Sequence, residues 1–255
     1  MAGAALVTGA AGGIGRAIAV ALAEAGFAMA LSDRAASAAL DAATAEAAGR
    51  GVQTVALPAD LADLAAHAGL LDAAEAALGP LTTLVNNAGV SVLARGDLLD
   101  VAVDSYDRCQ AVNTRGTFFL TQAFARRLLA AEPPGQGHRS IVSITSANAV
   151  GVSLNRGEYC VSKAGLSMAS RLFAARLGGE GIGVYEIQPG VIETAMTAPS
   201  MASYRERIAK GLTVIPRVGQ PAEVARAVVT CATGGLPYTV GQAIRVDGGL
   251  VEPRF

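Results

Sequence analysis

The chain has 255 residues, and its 20 lysines and arginines nearly balance its 21 aspartates and glutamates, giving a formal net charge of −1 at pH 7. This balance excludes the strongly basic surface that nucleic-acid phosphates require. Two histidines and three separated cysteines supply no metal-binding motif, so we expect no metal site. Charges interrupt every apolar run below the roughly 18 residues of a membrane span, and the N-terminus lacks the basic region of a signal peptide. We therefore expect a cytoplasmic protein without a membrane or nucleic-acid partner.

Short apolar runs alternate along the chain with Ala-rich segments of helical character. Strands are predicted over residues 4–8, 27–31, 52–57, 83–85, 140–145, 183–188 and 243–246. Helices are predicted over residues 14–25, 35–48, 61–78, 105–131, 159–177 and 221–231, with Pro133-Pro134-Gly135 as the break after the fourth helix. The alternation predicts an α/β fold in a single domain over 1–255, with a doubly wound parallel sheet of about seven strands and helices on both faces. The stretch 190–214 shows no clear regular structure and is interpreted as a substrate lid.

A glycine-rich loop follows the first predicted strand and leads into the first helix. Gly9, Gly12, Gly13 and Gly15 let the chain turn tightly and bring backbone N–H groups close to a ligand, while Ile14 opens the helix. The helix N-terminus adds a partial positive charge directed at a pyrophosphate. A merely flexible Gly-Ala loop is the alternative, but the position between strand and helix favours dinucleotide binding.

An acidic residue closes the second predicted strand, about 20 residues after the glycine loop. The Asp33 carboxylate can accept both hydroxyls of an adenosine ribose and would repel a 2′-phosphate, which favours NAD. The neighbouring Arg34 can pair with such a phosphate, so NADP is the alternative cofactor. A turn or helix-capping role is the other interpretation of Asp33.

A tyrosine and a lysine lie four residues apart at the start of a predicted helix. Tyr159 and Lys163 therefore share one helix face, and an adjacent ammonium favours the phenolate and lowers the tyrosine pKa from its usual value near 10. Ser146 follows a buried strand, where active sites of open α/β sheets gather. An ordinary exposed pair is the alternative for the tyrosine and the lysine.

Seven motifs occur in the order found in one enzyme family, and together they span nearly the whole chain. They are the segments TGAAGGIG at 8–15, Asp60-Leu61, NNAG at 86–89, Asn113 in VNTRG, YCVSK at 159–163, PGVIET at 189–194 and VDGG at 246–249. In these motifs the chain resembles the short-chain dehydrogenase/reductase family. The resemblance implies a Rossmann fold and an NAD(P)-dependent oxidoreductase that interconverts a secondary alcohol and a ketone.

The resemblance also implies roles for individual residues. Tyr159 is expected to be the acid/base, Lys163 to lower its pKa and bind the nicotinamide ribose, and Ser146 to bind the substrate oxygen. Asn113 is expected to hold a backbone kink and a water that relays protons to Lys163. The remaining cofactor contacts carried over from the motifs are Asp60, Leu61, Asn87, Ala88, Gly89, Pro189, Ile192 and Thr194. The chain has Ser143-Ile144-Thr145-Ser146 where the family often has Asn-Ile-Ser-Ser, which puts the role of Ser143 as a structural bridge in doubt.

The substrate is indicated only coarsely. Within the family the chain looks most like 3-oxoacyl-acyl-carrier-protein reductases and sugar or polyol dehydrogenases, so the expected partner is a small carbonyl or alcohol compound. Asn148, Arg156 and Glu158, with Ser146, are the candidates for substrate contact; solvent-facing loop charges are the alternative for Arg156 and Glu158. A non-catalytic dinucleotide sensor with the same fold is the alternative function.

Assembly is also expected from the resemblance. Such proteins usually form homotetramers through the helices predicted at 105–131 and 159–177 and through the last strand. Ala164, Gly165, Ser167 and Ala169 would permit close helix contact, and Phe255 packs at a subunit interface or frays.

Overall fold

The computed structural model describes residues 2–131 and 137–253, so the break predicted at Pro133-Pro134-Gly135 and the tail at Phe255 lie outside the described residues. Seven strands are β1 (Ala4–Thr8), β2 (Ala28–Asp33), β3 (Thr54–Pro58), β4 (Thr83–Asn86), β5 (Arg139–Ile144), β6 (Ile182–Pro189) and β7 (Ala243–Val246). The α-helices are α1 (Gly13–Glu24), α2 (Ala38–Ala48), α3 (Ala66–Leu78), α4 (Val103–Cys109), α5 (Thr117–Ala130), α6 (Gly157–Leu177), α7 (Met201–Ala209) and α8 (Pro221–Ala232).

All seven strands form one parallel sheet in the order β3-β2-β1-β4-β5-β6-β7. The chain builds outward from β1 to β3, then returns to place β4 on the other side of β1. This order confirms the predicted doubly wound sheet. Its reversal between β1 and β4 opens a crevice at the carboxyl ends of the strands, where ligands bind in folds of this kind.

Helices cover the sheet on both faces, which explains why most strand positions are apolar. Alternate residues of a strand point to opposite faces. In β1, Val7 therefore packs in a cluster with α1, α2 and α8, whereas Leu6 packs in a second cluster with α3, α5 and α6. The two clusters are the main cores of the described chain.

Two predicted helices begin later in the structure than in the sequence interpretation because polar side chains bind the backbone ahead of them. Asp60 accepts the N–H of Ala62, and Asp63 accepts the N–H of Ala65, so α3 begins at Ala66 and not at 61. Ser37 caps α2 by accepting the N–H of Leu40, which moves the start from 35 to 38.

The continuous helix predicted over 105–131 is wrong. The structure has α4, then a π-helical turn over Gln110–Gly116, and then α5. The turn is closely packed at its end: a Cβ at Gly116 would overlap the carbonyl oxygen of Leu61. Asn113 lies at the centre of the turn, so the family's expected kink coincides with a local change of helix type.

The stretch 190–214 is more regular than predicted. It contains a 3₁₀ turn over Ala198–Ser200 and the helix α7. The helix buries Tyr204 and Ile208 against Val191 in a small cluster separate from the two main cores. An amphipathic helix of nine residues between two loops gave too short a pattern to be recognised in the sequence.

No helix within the described ranges is both long and apolar enough to cross a membrane. The three cysteines are free thiols. In the part of the chain that the structure describes, no group of three or more His, Cys, Asp or Glu side chains is arranged to hold a metal ion.

The packing of the second cluster can be tested by truncating Leu71, which is fully buried on α3. We expect Leu71→Ala to lower the free energy of unfolding by about 2–5 kcal/mol, because it removes buried methyl groups and leaves a cavity. Denaturant unfolding followed by circular dichroism measures the loss. The same substitution at Leu99, which is 91% exposed, should cost less than about 0.5 kcal/mol. Equal losses in the two variants would contradict the assigned core.

Candidate active site

A cleft of about 1230 Å³ lies at the carboxyl ends of the central strands. The loops after β1, β2, β3, β4, β5 and β6 all contribute to its lining. This volume exceeds that of an ordinary small-ligand pocket, about 300–1000 Å³, and suits a dinucleotide together with a substrate.

The glycine loop forms one wall of the cleft. Two of its positions require glycine because other backbone atoms lie too close to leave room for a side chain. Gly9 has a φ of +65°, and a Cβ there would lie 2.7 Å from the Cα of Ala88. A Cβ at Gly15 would overlap the Gly9 carbonyl oxygen. Gly12 is the N-cap of α1 and has no side chain to bind the first amides, so they remain open to a ligand. All five predicted loop residues line the cleft: Gly9, Gly12, Gly13, Ile14 and Gly15.

The Asp33 carboxylate lies at the far end of the same wall. Its Oδ2 accepts a hydrogen bond of 3.0 Å from the N–H of Ala11, and its Oδ1 accepts one of 2.8 Å from the N–H of Arg34. Asp33 therefore holds the glycine loop while lining the cleft. Arg34 is exposed beside it and makes no ion pair with the described residues. Asp33 thus both holds the backbone of the turn and lies where it can bind a ribose.

The other cofactor candidates also converge on the cleft. Asn87 ties two walls together, because its amide Nδ2 donates to the carbonyl oxygens of Thr8 and Gly9 at 2.9 and 3.0 Å. The remaining candidates that line the cleft are Asp60, Leu61, Ala88, Gly89, Pro189, Ile192 and Thr194. The donors, the open helix N-terminus and the acidic residue match what a nicotinamide dinucleotide requires.

Ser146, Tyr159 and Lys163 line the cleft together, opposite the glycine loop. Lys163 is buried, and its Nζ donates a 3.0 Å hydrogen bond to the carbonyl oxygen of Ile144. Its Nζ lies 5.9 Å from the centroid of the Tyr159 ring. Ser146 Oγ accepts the N–H of Asn148 at 3.1 Å, and the Ser146 hydroxyl is within hydrogen-bonding reach of the Tyr159 side chain.

The electrostatics of these groups differ from the simple expectation. Burial raises the pKa of Tyr159, and the neighbouring Ser146 hydroxyl and Arg156 charge oppose the rise. Burial lowers the pKa of Lys163 to about 8, and electrostatic interactions with the Cys109 thiol group and the Glu186 carboxylate oppose that fall. For Tyr159, desolvation therefore outweighs the lowering effects of Ser146 and Arg156. At pH 7 the lysine is still mainly charged.

Asn113 stands behind the cleft and does not line it. Its Nδ2 donates to the carbonyl oxygen of Val90 and to Ser162 Oγ, and its Oδ1 accepts the N–H of Val90 at 2.7 Å. A Cβ at Gly89 would lie 3.2 Å from both Asn113 Oδ1 and Lys163 Nζ. Asn113 thus positions the loop beside the lysine, and the relay water stays a prediction.

Glu158 is a correction to the predicted substrate contacts. It is buried, only 3% exposed, and its Oε1 accepts a 2.6 Å hydrogen bond from Ser105 Oγ of α4. Consecutive helix residues point about 100° apart, so the side chain next to Tyr159 faces α4 and not the cleft. The other substrate candidates, Asn148 and Arg156, do line the cleft.

Ser143 retains a bridging contact despite the changed motif. Its Oγ accepts a long hydrogen bond of 3.4 Å from Asn86 Nδ2, which also donates to Thr121 Oγ1 at 2.8 Å. The serine therefore connects β4 and β5 only weakly.

Glu186 is a residue that the sequence interpretation missed. It is 2% exposed in β6, where its carboxylate accepts hydrogen bonds from Thr145 Oγ1, Gln188 Nε2 and Ser167 Oγ at 2.7, 2.8 and 2.9 Å. Thr145 precedes Ser146, and Ser167 lies one helical turn after Lys163. The signal was present in the sequence, because a carboxylate inside a buried strand needs a compensating partner.

Comparisons with known proteins identify the family. A family model described as enoyl-(acyl carrier protein) reductase matches residues 9–251. D-threitol dehydrogenase of Mycolicibacterium smegmatis is 35% identical, covering 96% of this chain and 91% of that protein. L-rhamnose 1-dehydrogenase (NAD(P)(+)) of a Sphingomonas species is 31% identical, covering 96% and 94%. The structure of 3-oxoacyl-[acyl-carrier protein] reductase from Brucella melitensis in complex with NAD is 40% identical, with a TM-score of 0.95 over 99% of this chain and 98% of that one.

The chain belongs to the short-chain dehydrogenase/reductase family. It is an NAD(P)-dependent oxidoreductase that acts on an alcohol or ketone group. These findings confirm the resemblance that the motifs indicated.

The charge behind Lys163 can be tested with Glu186→Gln. The substitution keeps a hydrogen-bonding amide but removes the negative charge, so the pKa of Lys163 should fall below its present value of about 8 by roughly one pH unit. The alkaline decline of kcat/KM should move to lower pH by a similar amount, as measured by the pH profile of NADH formation. Glu180→Gln, at an exposed carboxylate paired with Arg176, should leave the profile in place. If the pH profile of kcat/KM did not move in Glu186→Gln, Glu186 would not influence the pKa of Lys163.

Proposed function

We propose that the chain oxidises a secondary alcohol with NAD, using Tyr159 as acid/base, on a substrate of the sugar, polyol or 3-hydroxyacyl class. The observation that carries the proposal is the shared cleft, in which Ser146, Tyr159 and Lys163 face a glycine loop fit for a dinucleotide. The substrate class is supported by the relatives named D-threitol dehydrogenase and 3-oxoacyl-[acyl-carrier protein] reductase.

Each side chain has a separate task in the proton transfer. Tyr159 Oη takes the hydroxyl proton of the alcohol, or returns it to the carbonyl oxygen in reduction. Ser146, whose hydroxyl lies beside the Tyr159 side chain, donates its hydroxyl hydrogen to the same oxygen when substrate is bound and fixes its position. Lys163 stabilises the phenolate with its charge, while Asn113 and the loop at Gly89 hold the lysine in place. When bound, the nicotinamide supplies the hydride-transfer chemistry.

The proposed cofactor contacts divide the cleft along its length. The glycine loop holds the pyrophosphate, Asp33 the adenosine ribose, and Asp60 with Leu61 the adenine. Lys163, Ile192 and Thr194 hold the nicotinamide end. NAD is favoured over NADP because Asp33 repels a 2′-phosphate, although Arg34 beside it can accept one. This acid/base set supports an enzyme over a dinucleotide sensor, since a sensor needs no acid/base.

The whole of 1–255 is proposed to act as one catalytic domain with residues 190–214 as its lid. The lid carries Met196, Thr197 and Tyr204 into the lining of the cleft. A hydrogen bond of 3.2 Å from Arg156 Nη2 to Tyr204 Oη links the lid to the start of α6. Closure over a bound substrate would exclude water from the reacting groups.

A cytoplasmic homotetramer assembled through α4, α5, α6 and β7 completes the proposal. Val161, Met168 and Leu172 form an exposed apolar stripe on α6, each at least 50% exposed, which favours burial against another subunit. Of the small residues expected there, Ala164 and Gly165 reach the surface. Ser167 and Ala169 instead face the interior of their own subunit.

Tyr159→Phe tests the acid/base. Loss of the phenolic hydroxyl should lower kcat by roughly 10²–10⁴-fold, because it removes the group that exchanges the proton with the substrate oxygen. NADH binding, followed by fluorescence, should change little. Tyr238→Phe, at a fully exposed position, provides the matched control. Full turnover by the first variant would remove Tyr159 from the mechanism.

Asp33 tests the cofactor preference. In Asp33→Ala the ratio of kcat/KM with NADP to that with NAD should rise roughly 10- to 100-fold, because the repelling charge is lost and a ribose acceptor with it. Asp33→Asn keeps an acceptor oxygen for the N–H of Ala11 but removes the negative charge. It therefore distinguishes the effect of the charge from that of the hydrogen bond to the loop. A ratio unchanged in both variants contradicts the assigned role.

A further inference from the structure

We propose that the substrate carries an anionic group, a carboxylate or a phosphate, close to the reacting carbon, and that Arg156 binds this group. The inference rests on the proposed function and specifies the substrate of the same site.

The charges that line the cleft are unevenly distributed. Among the described residues, the only carboxylates in the lining are Asp33 and Asp60, both at the adenosine end. Arg34 lies beside Asp33, and the rest of the described lining holds four more guanidinium groups and no carboxylate: Arg108 and Arg156 are half-buried, and Arg95 and Arg207 are exposed. A cleft walled by one sign of charge concentrates ligands of the opposite sign. A neutral sugar or polyol requires no such excess.

Arg156 is held in a fixed orientation next to the acid/base. It is half-buried, its Nε donates to Ser153 Oγ at 3.2 Å, and its Nη2 donates to Tyr204 Oη at 3.2 Å. The guanidinium carbon lies 5.6 Å from the centroid of the Tyr159 ring. These contacts leave the two N–H groups of Nη1 for a ligand oxygen, beside the position where the reacting oxygen meets the tyrosine.

No carboxylate neutralises this guanidinium within the described part of the chain. The ion pairs found there involve other cations. The nearest acidic residue in sequence, Glu158, is turned away under α4 and bonded to Ser105. A half-buried cation with hydrogen-bonding partners but no counter-ion is the arrangement that an anionic ligand completes.

Arg108 supports the same conclusion from a neighbouring element. It is half-buried in α4, and its Nη1 donates to the carbonyl oxygen of Ser91 at 2.9 Å. It too has no ion pair with the described residues. Because Arg108 and Arg156 belong to different elements, their shared exposure to one cleft is not a consequence of a single charged helix face.

Arg156 has a second effect that the experiment must separate. Its charge opposes the burial that raises the pKa of Tyr159. Loss of the charge will therefore slow every substrate to some extent. Only the ratio of kcat/KM for an anionic substrate to that for its uncharged counterpart isolates binding of the anion.

The test uses matched substrate pairs with purified full-length protein. The pairs are D-gluconate with D-glucitol, D-glucitol 6-phosphate with D-glucitol, and 3-hydroxybutyrate with its methyl ester. In the wild type we expect the anion of at least one pair to have the higher kcat/KM. In Arg156→Gln the ratio within that pair should fall roughly 10- to 100-fold, the loss of a charge-assisted hydrogen bond. Arg156→Lys should restore part of it, because the charge remains without the planar fork.

Arg226→Gln is the control, since this arginine is exposed on α8 and does not line the cleft. In this variant the ratio of kcat/KM within each substrate pair should equal that of the wild type. The pair that responds distinguishes a carboxylate from a phosphate. Preference for the neutral member of every pair, or an unchanged ratio in Arg156→Gln, overturns the inference while the oxidoreductase proposal stands. NADH binding without turnover of any pair overturns both.

Discussion

The buried amino group of Lys163 is the constraint on which the site depends. An ammonium taken out of water is costly unless hydrogen bonds and opposite charge compensate. The Ile144 carbonyl accepts its hydrogen bond, and the buried Glu186 supplies opposing charge from the neighbouring strand. The same helix presents Tyr159 one turn earlier. The position of α6 against β5 and β6 therefore both satisfies the buried ammonium and presents Tyr159 to the cleft.

The sequence predicted the features that depend on local pattern. Strand–helix alternation is enough to give the doubly wound sheet, because buried parallel strands and their covering helices have distinct apolar patterns. Close approach requires glycine in the loop at 9–15, so those positions were recognisable as well. The pairing of Tyr159 with Lys163 follows from helical spacing alone. Each of these inferences needs only neighbours within a few residues.

The features that escaped prediction depend on partners far along the chain. Glu158 and Arg156 are two residues apart in sequence, yet one packs under α4 and the other faces the cleft, which only the rotation of the helix decides. The net charge of −1 likewise gave no sign of the arginines that line the cleft, because a net charge does not show where the individual charges lie in the fold. Glu186 could have been questioned from its strand, but its donors come from three separate segments.

The π-helical turn Gln110–Gly116 constrains the number of residues in this segment more strongly than the identity of most of them. Such a turn holds one residue more than an α-helical turn, and each residue rotates the chain by about 100°. Deletion of one residue would restore a regular ladder at little backbone cost. It would also swing Asn113 away from the loop at Gly89, or Gly116 away from Leu61. A side-chain replacement in the turn affects one contact, such as that of Gly116 with Leu61, whereas an insertion or a deletion misaligns both ends of the turn at once.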